Sequence, residues 1–230
     1  MIVRLPFVLS ANDAAAIVGQ LDARSATDGA LTAGAAARGV KRNREVLDAD
    51  LRQQLSASLS QALQRHAGFL AAAVPRTIYP FIFNCYQMGM FYGPHLDEAV
   101  MGKPPHQLRS DLSITIFLSD PASYDGGELV LDPDGAAGRV KLAQGDAVLY
   151  PSTTLHEVTP VTRGVRWAAV SWIQSVVRRA DQRELVRELA AMSDDLRRLQ
   201  VSEATRDLKE ALERRVLGLR ANLLRMWGET

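Results

Sequence analysis

Between residues 78 and 177 the chain is written in short segments of β-branched and aromatic residues, punctuated by Gly, Pro and Asp. Ser113-Ile114-Thr115-Ile116-Phe117-Leu118 reads as one strand. Glu128-Leu129-Val130-Leu131 follows a Gly126-Gly127 turn, and Ala147-Val148-Leu149-Tyr150 follows Gly145-Asp146. Val165 to Ile173 is a fourth segment of the same kind. Short strands at this spacing, with turns between them, predict a sandwich or barrel. No long helical pattern alternates with them, which argues against a doubly wound parallel sheet.

The flanks have a different period. Ala11 to Asp22 carries an apolar stripe of Ile17, Val18 and Leu21, with Asn12 or Asp13 able to cap it. Thr27 to Gly39 is rich in Ala and Gly, has no period, and predicts a loop. Leu47, Leu51, Leu55, Leu59 and Leu63 recur at helical spacing, so Leu47 to Leu70 predicts one long helix. Asp181 to Leu199 and Glu203 to Trp227 are again helical, and the short join between them suggests an antiparallel pair. Their leucine stripes read as core or as a surface for forming a homo-oligomer. The chain thus divides into an N-terminal helical segment supporting the core (1–77), a β core (78–177) and a C-terminal helical extension (178–230).

Composition narrows the function classes. A chain of 230 residues with 47% hydrophobic and 23% charged positions is an ordinary globular protein that can bury a full core. A net charge of +1 gives no global field for nucleic acid or a membrane surface, and neither is expected as a partner. The single cysteine, Cys85, excludes an internal disulfide and argues against a cysteine zinc cluster. The N-terminal residues do not read as a signal peptide, and no stretch approaches the roughly 18 apolar residues of a membrane span. A cytoplasmic location is the expectation.

The chemistry centres on His95-Leu96-Asp97. Residues two apart on an extended chain share a face, so an imidazole and a carboxylate could meet one ion. His156, in the strand-like Leu155-His156-Glu157-Val158, offers a third ligand, while Glu157 would point to the opposite face. Two His and one carboxylate on one face of an octahedron suit non-heme iron(II) and leave positions open for a chelating oxo-acid and oxygen. Taken alone, a His-x-Asp beside Gly93-Pro94 is more simply a surface turn. Arg166 lies ten positions beyond His156, in a strand whose alternate residues face inward. An inward guanidinium needs an anion, either a protein carboxylate or a bound one gripped by two parallel hydrogen bonds.

The run Tyr86-Gln87-Met88-Gly89-Met90-Phe91-Tyr92-Gly93-Pro94-His95-Leu96-Asp97 resembles the Tyr-x-x-Gly-x-x-Tyr-x-x-His-x-Asp signature of prolyl 4-hydroxylase-like oxygenases. Ser110 to Ser113, Phe117 to Ser119, Tyr124 to Leu129, Tyr150-Pro151-Ser152, Leu155 to Val158 and Arg166 continue the pattern in order. The resemblance is to bacterial PKHD-type hydroxylases and extends over most of the chain. It implies a double-stranded β-helix, or jelly-roll, and an Fe(II)- and 2-oxoglutarate-dependent dioxygenase that also uses L-ascorbate. It further implies that His95, Asp97 and His156 bind iron, that Arg166 takes the distal carboxylate of 2-oxoglutarate, and that Tyr86 donates to the same cosubstrate. Some relatives add a tyrosine where this chain has Phe117, which lacks the hydroxyl. Partners would be 2-oxoglutarate, O2 and a substrate, either a protein prolyl or lysyl side chain or a small molecule.

Other residues carry two readings each. Arg109 and Asp111 could meet a polar substrate or form a strand-end ion pair. Trp172, six positions after Arg166, could wall the pocket or pack in the core. Cys85 reads as core, and His66 and His106 as non-ligands. Rival functions are a jelly-roll that binds metal or ligand without catalysis, an iron- or oxygen-responsive regulator, and a zinc hydrolase. Succinate release from 2-oxoglutarate separates the oxygenase from the binding module, the near-zero net charge argues against a regulator acting on nucleic acid, and no general base is evident for a zinc hydrolase.

Overall fold

The computed structural model describes residues 1–21, 26–31, 39–105, 107–132 and 138–229. Two antiparallel sheets face one another. The larger orders its strands Val3–Leu5, Ala147–Pro151, Leu112–Phe117, Arg166–Ser175, Ile82–Tyr86, Arg44–Glu45 and Thr27–Asp28, with Pro75–Ile78 also pairing Arg166–Ser175. The smaller runs Arg139–Val140, Leu129–Leu131, His156–Val158, Phe91–His95 and Lys41–Arg42. This is the mainly β jelly-roll with flanking helices.

Alternation along the large-sheet strands explains the two cores. On Leu112–Phe117, the side chains of Leu112, Ile114 and Ile116 join a cluster with the helices, while Phe117 joins a second cluster between the sheets. Leu149 and Trp167 face the helices in the same way, and Val148 and Tyr150 face the interior between sheets. A strand buried on both faces loses the simple apolar–polar alternation, and here the inward face instead carries Ser113, Thr115 and Arg166. Polar groups on an otherwise apolar strand thereby mark the interior between the sheets.

Among the described residues five α-helices flank the sheets: α1 (Ala11–Gln20), α2 (Ala49–Arg65), α3 (Ala67–Ala73), α4 (Ala180–Arg198) and α5 (Glu203–Trp227). Ser10 and Asp48 cap α1 and α2 by accepting from the Asp13 and Leu51 amides. The single helix expected over Leu47 to Leu70 is instead two, broken at His66, whose backbone is extended. Its Nδ1 accepts from the Phe69 amide at 3.1 Å, so its Nε2 carries the proton and donates to the Pro6 carbonyl at 2.9 Å. His66 is a helix cap, and the break turns Phe69, Ala72 and Ala73 into the core. The expected loop over Thr27 to Gly39 begins instead with a two-residue strand and a 3-10 turn at Gly29–Leu31, and its remainder through residue 38 lies outside the described residues. Besides helices, the first 77 residues contribute short strands to both sheets. Asp22, the expected end of α1, and His106 also lie outside the described residues. No helix among the described residues is long and apolar enough to cross a membrane.

Candidate metal centre and anion pocket

Cross-strand register assembles the site. His95 and His156 are directly opposite partners in the smaller sheet, and Tyr86 and Arg166 are directly opposite in the larger. The two pairs face a cavity of about 940 Å³, counting its solvent-facing mouth.

One ligand atom each from His95, Asp97 and His156 lies within 4.8 Å of the others. His156 Nε2 is 3.8 Å from Asp97 Oδ2. The His95 Nδ1 is 2.8 Å from the Gly93 carbonyl, and the His156 Nδ1 is 2.9 Å from the Thr154 carbonyl. A carbonyl only accepts, so both Nδ1 atoms carry protons and both Nε2 lone pairs are left bare. Burial, reinforced by the neighbouring His156, pushes the His95 pKa down to about 4, which keeps the ring neutral as a ligand must be. Tyr92 stacks on His95 with ring centres 3.5 Å apart and planes 9° from parallel, fixing the imidazole's tilt. Two imidazoles and one carboxylate converging from two strand ends form a donor set that fits a divalent transition metal with open positions.

Across the cavity stands Arg166, only 2% exposed. Its guanidinium lies over the Tyr86 ring at 5.1 Å and near the Phe117 ring at 5.5 Å. It hydrogen-bonds the Tyr124 side chain, yet its buried Nε and Nη2 have no partner among the described residues. Orphaned charged donors are costly, so this pair is shaped for an anion. Gly127 makes the approach feasible: a Cβ there would lie 2.9 Å from Arg166 Cδ. Tyr86 is 3% exposed, and burial raises its pKa to about 12, keeping the phenol a donor. Phe117 packs in the interior cluster as an apolar wall.

The remaining expectations divide. Trp172 lines the cavity rather than sitting wholly in the core, and its buried indole N–H has no partner among the described residues. Arg109 and Asp111 form the strand-end ion pair, bidentate at 2.7 and 3.0 Å. Arg109 also reaches Glu229 at 2.8 Å, tying the end of the chain to the β core. Neither residue lines the cavity. Cys85 is fully buried, and burial pushes its thiol up to about 12, so it is inert packing. Sequence reading missed the buried Lys41–Glu45 ion pair on the cavity wall, and also Ser113, Thr115 and Tyr150. A polar residue inside an apolar strand was the signal that could have found Ser113 and Thr115.

The family comparisons agree with this geometry. Residues 81–174 match the 2OG-Fe(II) oxygenase superfamily. A PKHD-type hydroxylase of Maricaulis maris is 48% identical over 204 residues, covering 88% of this chain and 87% of the relative. The PKHD-type hydroxylase YbiX of Escherichia coli O157:H7 is 44% identical over the full length of both chains. Among solved structures, a Pseudomonas putida prolyl-4-hydroxylase superposes with a TM-score of 0.52 at 21% identity, covering 76% of this chain and 92% of that one, a likeness of fold. The chain therefore belongs to the PKHD-type hydroxylases, Fe(II)- and 2-oxoglutarate-dependent dioxygenases of the 2OG-Fe(II) oxygenase superfamily.

Proposed function

We propose that His95, Asp97 and His156 hold the iron, and that Arg166, assisted by Tyr86, receives the distal carboxylate of 2-oxoglutarate. The observation that carries this reading is the pairing, in one cavity, of a convergent His-Asp-His set with a buried guanidinium that has two unpartnered nitrogens. Iron held by His95, Asp97 and His156 would supply the redox chemistry, in which O2 would give one atom to succinate and one to the hydroxylated substrate while 2-oxoglutarate loses CO2. The chain's own residues do the positioning. The Gly93 and Thr154 carbonyls fix the imidazole tautomers. Two donors of Arg166 match a carboxylate's two oxygens, which sets the cosubstrate's direction along the cavity. Tyr86 adds a protonated phenol beside that anion. Leu129, Val158 and Val170 line the space and limit water near the metal.

Iron and ascorbate assays follow from this reading, with ascorbate keeping the metal reduced. The substrate is a prolyl or lysyl side chain of a protein, or a small molecule, and a cytoplasmic setting accompanies the proposal. Succinate release should require Fe(II) and 2-oxoglutarate, and Asp97→Ala should lose it by at least two orders of magnitude. Full turnover by that variant would defeat the ligand assignment. The C-terminal helices support a homo-oligomer, since Leu185, Met192, Leu208 and Leu219 are 49–62% exposed. A monomer mass that does not change with concentration in sedimentation would rule that out.

A further inference from the structure

Asp97 Oδ2, the carboxylate oxygen 3.8 Å from His156 Nε2, is also held by a serine hydroxyl. Ser113 Oγ donates to Asp97 Oδ2 at 2.5 Å. Ser113 Oγ and Ser152 Oγ are 2.8 Å apart. An ionised carboxylate can only accept, so the one hydroxyl proton of Ser113 is committed to Asp97. Ser152 must then be the donor to Ser113. The hydrogen bonds run one way, Ser152 to Ser113 to Asp97. The two serines are 4% and 2% exposed, so little water competes for these bonds.

Ser152 sits in a tight turn closed by the Thr154 amide donating to the Pro151 carbonyl at 2.9 Å. Its own amide donates to the Asp111 carbonyl at 3.3 Å, which anchors the turn to the neighbouring strand. The last residue of the same turn, Thr154, supplies the carbonyl that fixes the His156 tautomer. One turn is thus connected to two of the three ligands by separate routes, through a hydroxyl chain to Asp97 and through a carbonyl to His156.

We propose that the Pro151–Thr154 turn, acting through Ser113, is a positioning device for the metal centre. Ser113 and Ser152 are positioning residues that hold the Asp97 carboxylate in one rotation before metal arrives. Hydrogen bonds to a ligating carboxylate orient it and raise affinity, typically by 10- to 100-fold when present against absent. The inference rests on the iron-site reading given above.

The test is titration of the metal-free full chain with Mn(II), following the electron paramagnetic resonance signal of the free ion. Ser113→Ala should weaken Mn(II) binding about 10- to 100-fold. Ser152→Ala should weaken it by a smaller factor, and the double variant should be no weaker than Ser113→Ala, because Ser152 acts only through Ser113. Additive losses in the double variant would overturn the directed chain. Asp97→Ala is run alongside. If it loses binding while Ser113→Ala stays within threefold of the parent, the positioning role fails and the metal site stands. If Asp97→Ala itself binds like the parent, the metal-site reading fails. Should Ser113→Ala not fold, unchanged affinity in Ser152→Ala overturns the proposal.

Discussion

Arg166 offers the sharpest separation of stability from binding. It is 2% exposed and hydrogen-bonds the Tyr124 side chain, and its Nε and Nη2 have no partner among the described residues. Replacement by Met keeps most of the stem and removes the charge. In the absence of cosubstrate this deletes a buried cation whose hydration is lost and whose Nε and Nη2 donors are unused among the described residues. Exchanging buried charges for apolar groups of similar volume is neutral or stabilising by about 1–4 kcal/mol. Arg166→Met should therefore be as stable as the parent, or more stable, in urea unfolding of the metal-free protein. Binding moves the opposite way. Two hydrogen bonds from a charged donor are worth about 1.5–3 kcal/mol each, so losing both costs about 3–6 kcal/mol. That is about 10²- to 10⁴-fold in the dissociation constant of 2-oxoglutarate. The assay is calorimetric titration of 2-oxoglutarate into the Mn(II)-loaded protein. Retained affinity within threefold would refute Arg166 as the carboxylate partner. Destabilisation by more than about 2 kcal/mol would refute the orphan-donor argument, because the guanidinium would then be satisfied in the free protein.

Two further perturbations test the walls of the cavity. Lys41→Ala removes one buried charged partner of Glu45, itself 1% exposed, and should lower stability in urea unfolding; an unchanged unfolding midpoint would show that the Lys41–Glu45 pair adds nothing to the fold. Gly127→Ala combines a left-handed backbone, φ +63°, with a Cβ 2.9 Å from Arg166 Cδ and 3.0 Å from Val161 Cγ2. It should cost about 2–4 kcal/mol and raise the KM for 2-oxoglutarate with a smaller change in kcat, and an unchanged KM would separate Gly127 from Arg166.

The β core was legible where strands were long enough to carry a pattern. Leu112–Phe117 and Arg166–Ser175 have six and ten residues, and their β-branched content announced them. Thr27–Asp28, Lys41–Arg42 and Arg44–Glu45 have two residues each, and two residues have no period. They exist because a neighbouring strand already offers unpaired backbone groups: Arg44–Glu45 pairs Asn84 and Cys85, and Lys41–Arg42 pairs Phe91 and Tyr92. The helix break at His66 was hidden for a related reason. Leu63 and Leu70 are seven apart and in phase, so apolar spacing runs straight through the break. What stops the helix is a side-chain cap supported by Pro6, sixty residues away.

The candidate ligands His95, Asp97 and His156 were visible because the fold delivers them in a fixed linear order from strand ends, so their spacing survives in the sequence. The residues that support them are delivered by register. Asp97, Ser113 and Ser152 are separated by 16 and 39 positions, and no local motif joins them. They meet because Ser113 is paired across to Tyr150 on one side and to Trp172 on the other, a register set by the apolar face of Leu112, Ile114 and Ile116 against the helices. A one-residue slip would turn Ser113 outward and put an isoleucine behind the carboxylate. The helix-facing core thus dictates which hydroxyl reaches Asp97, and packing on the far face of the sheet sets the surroundings of that carboxylate.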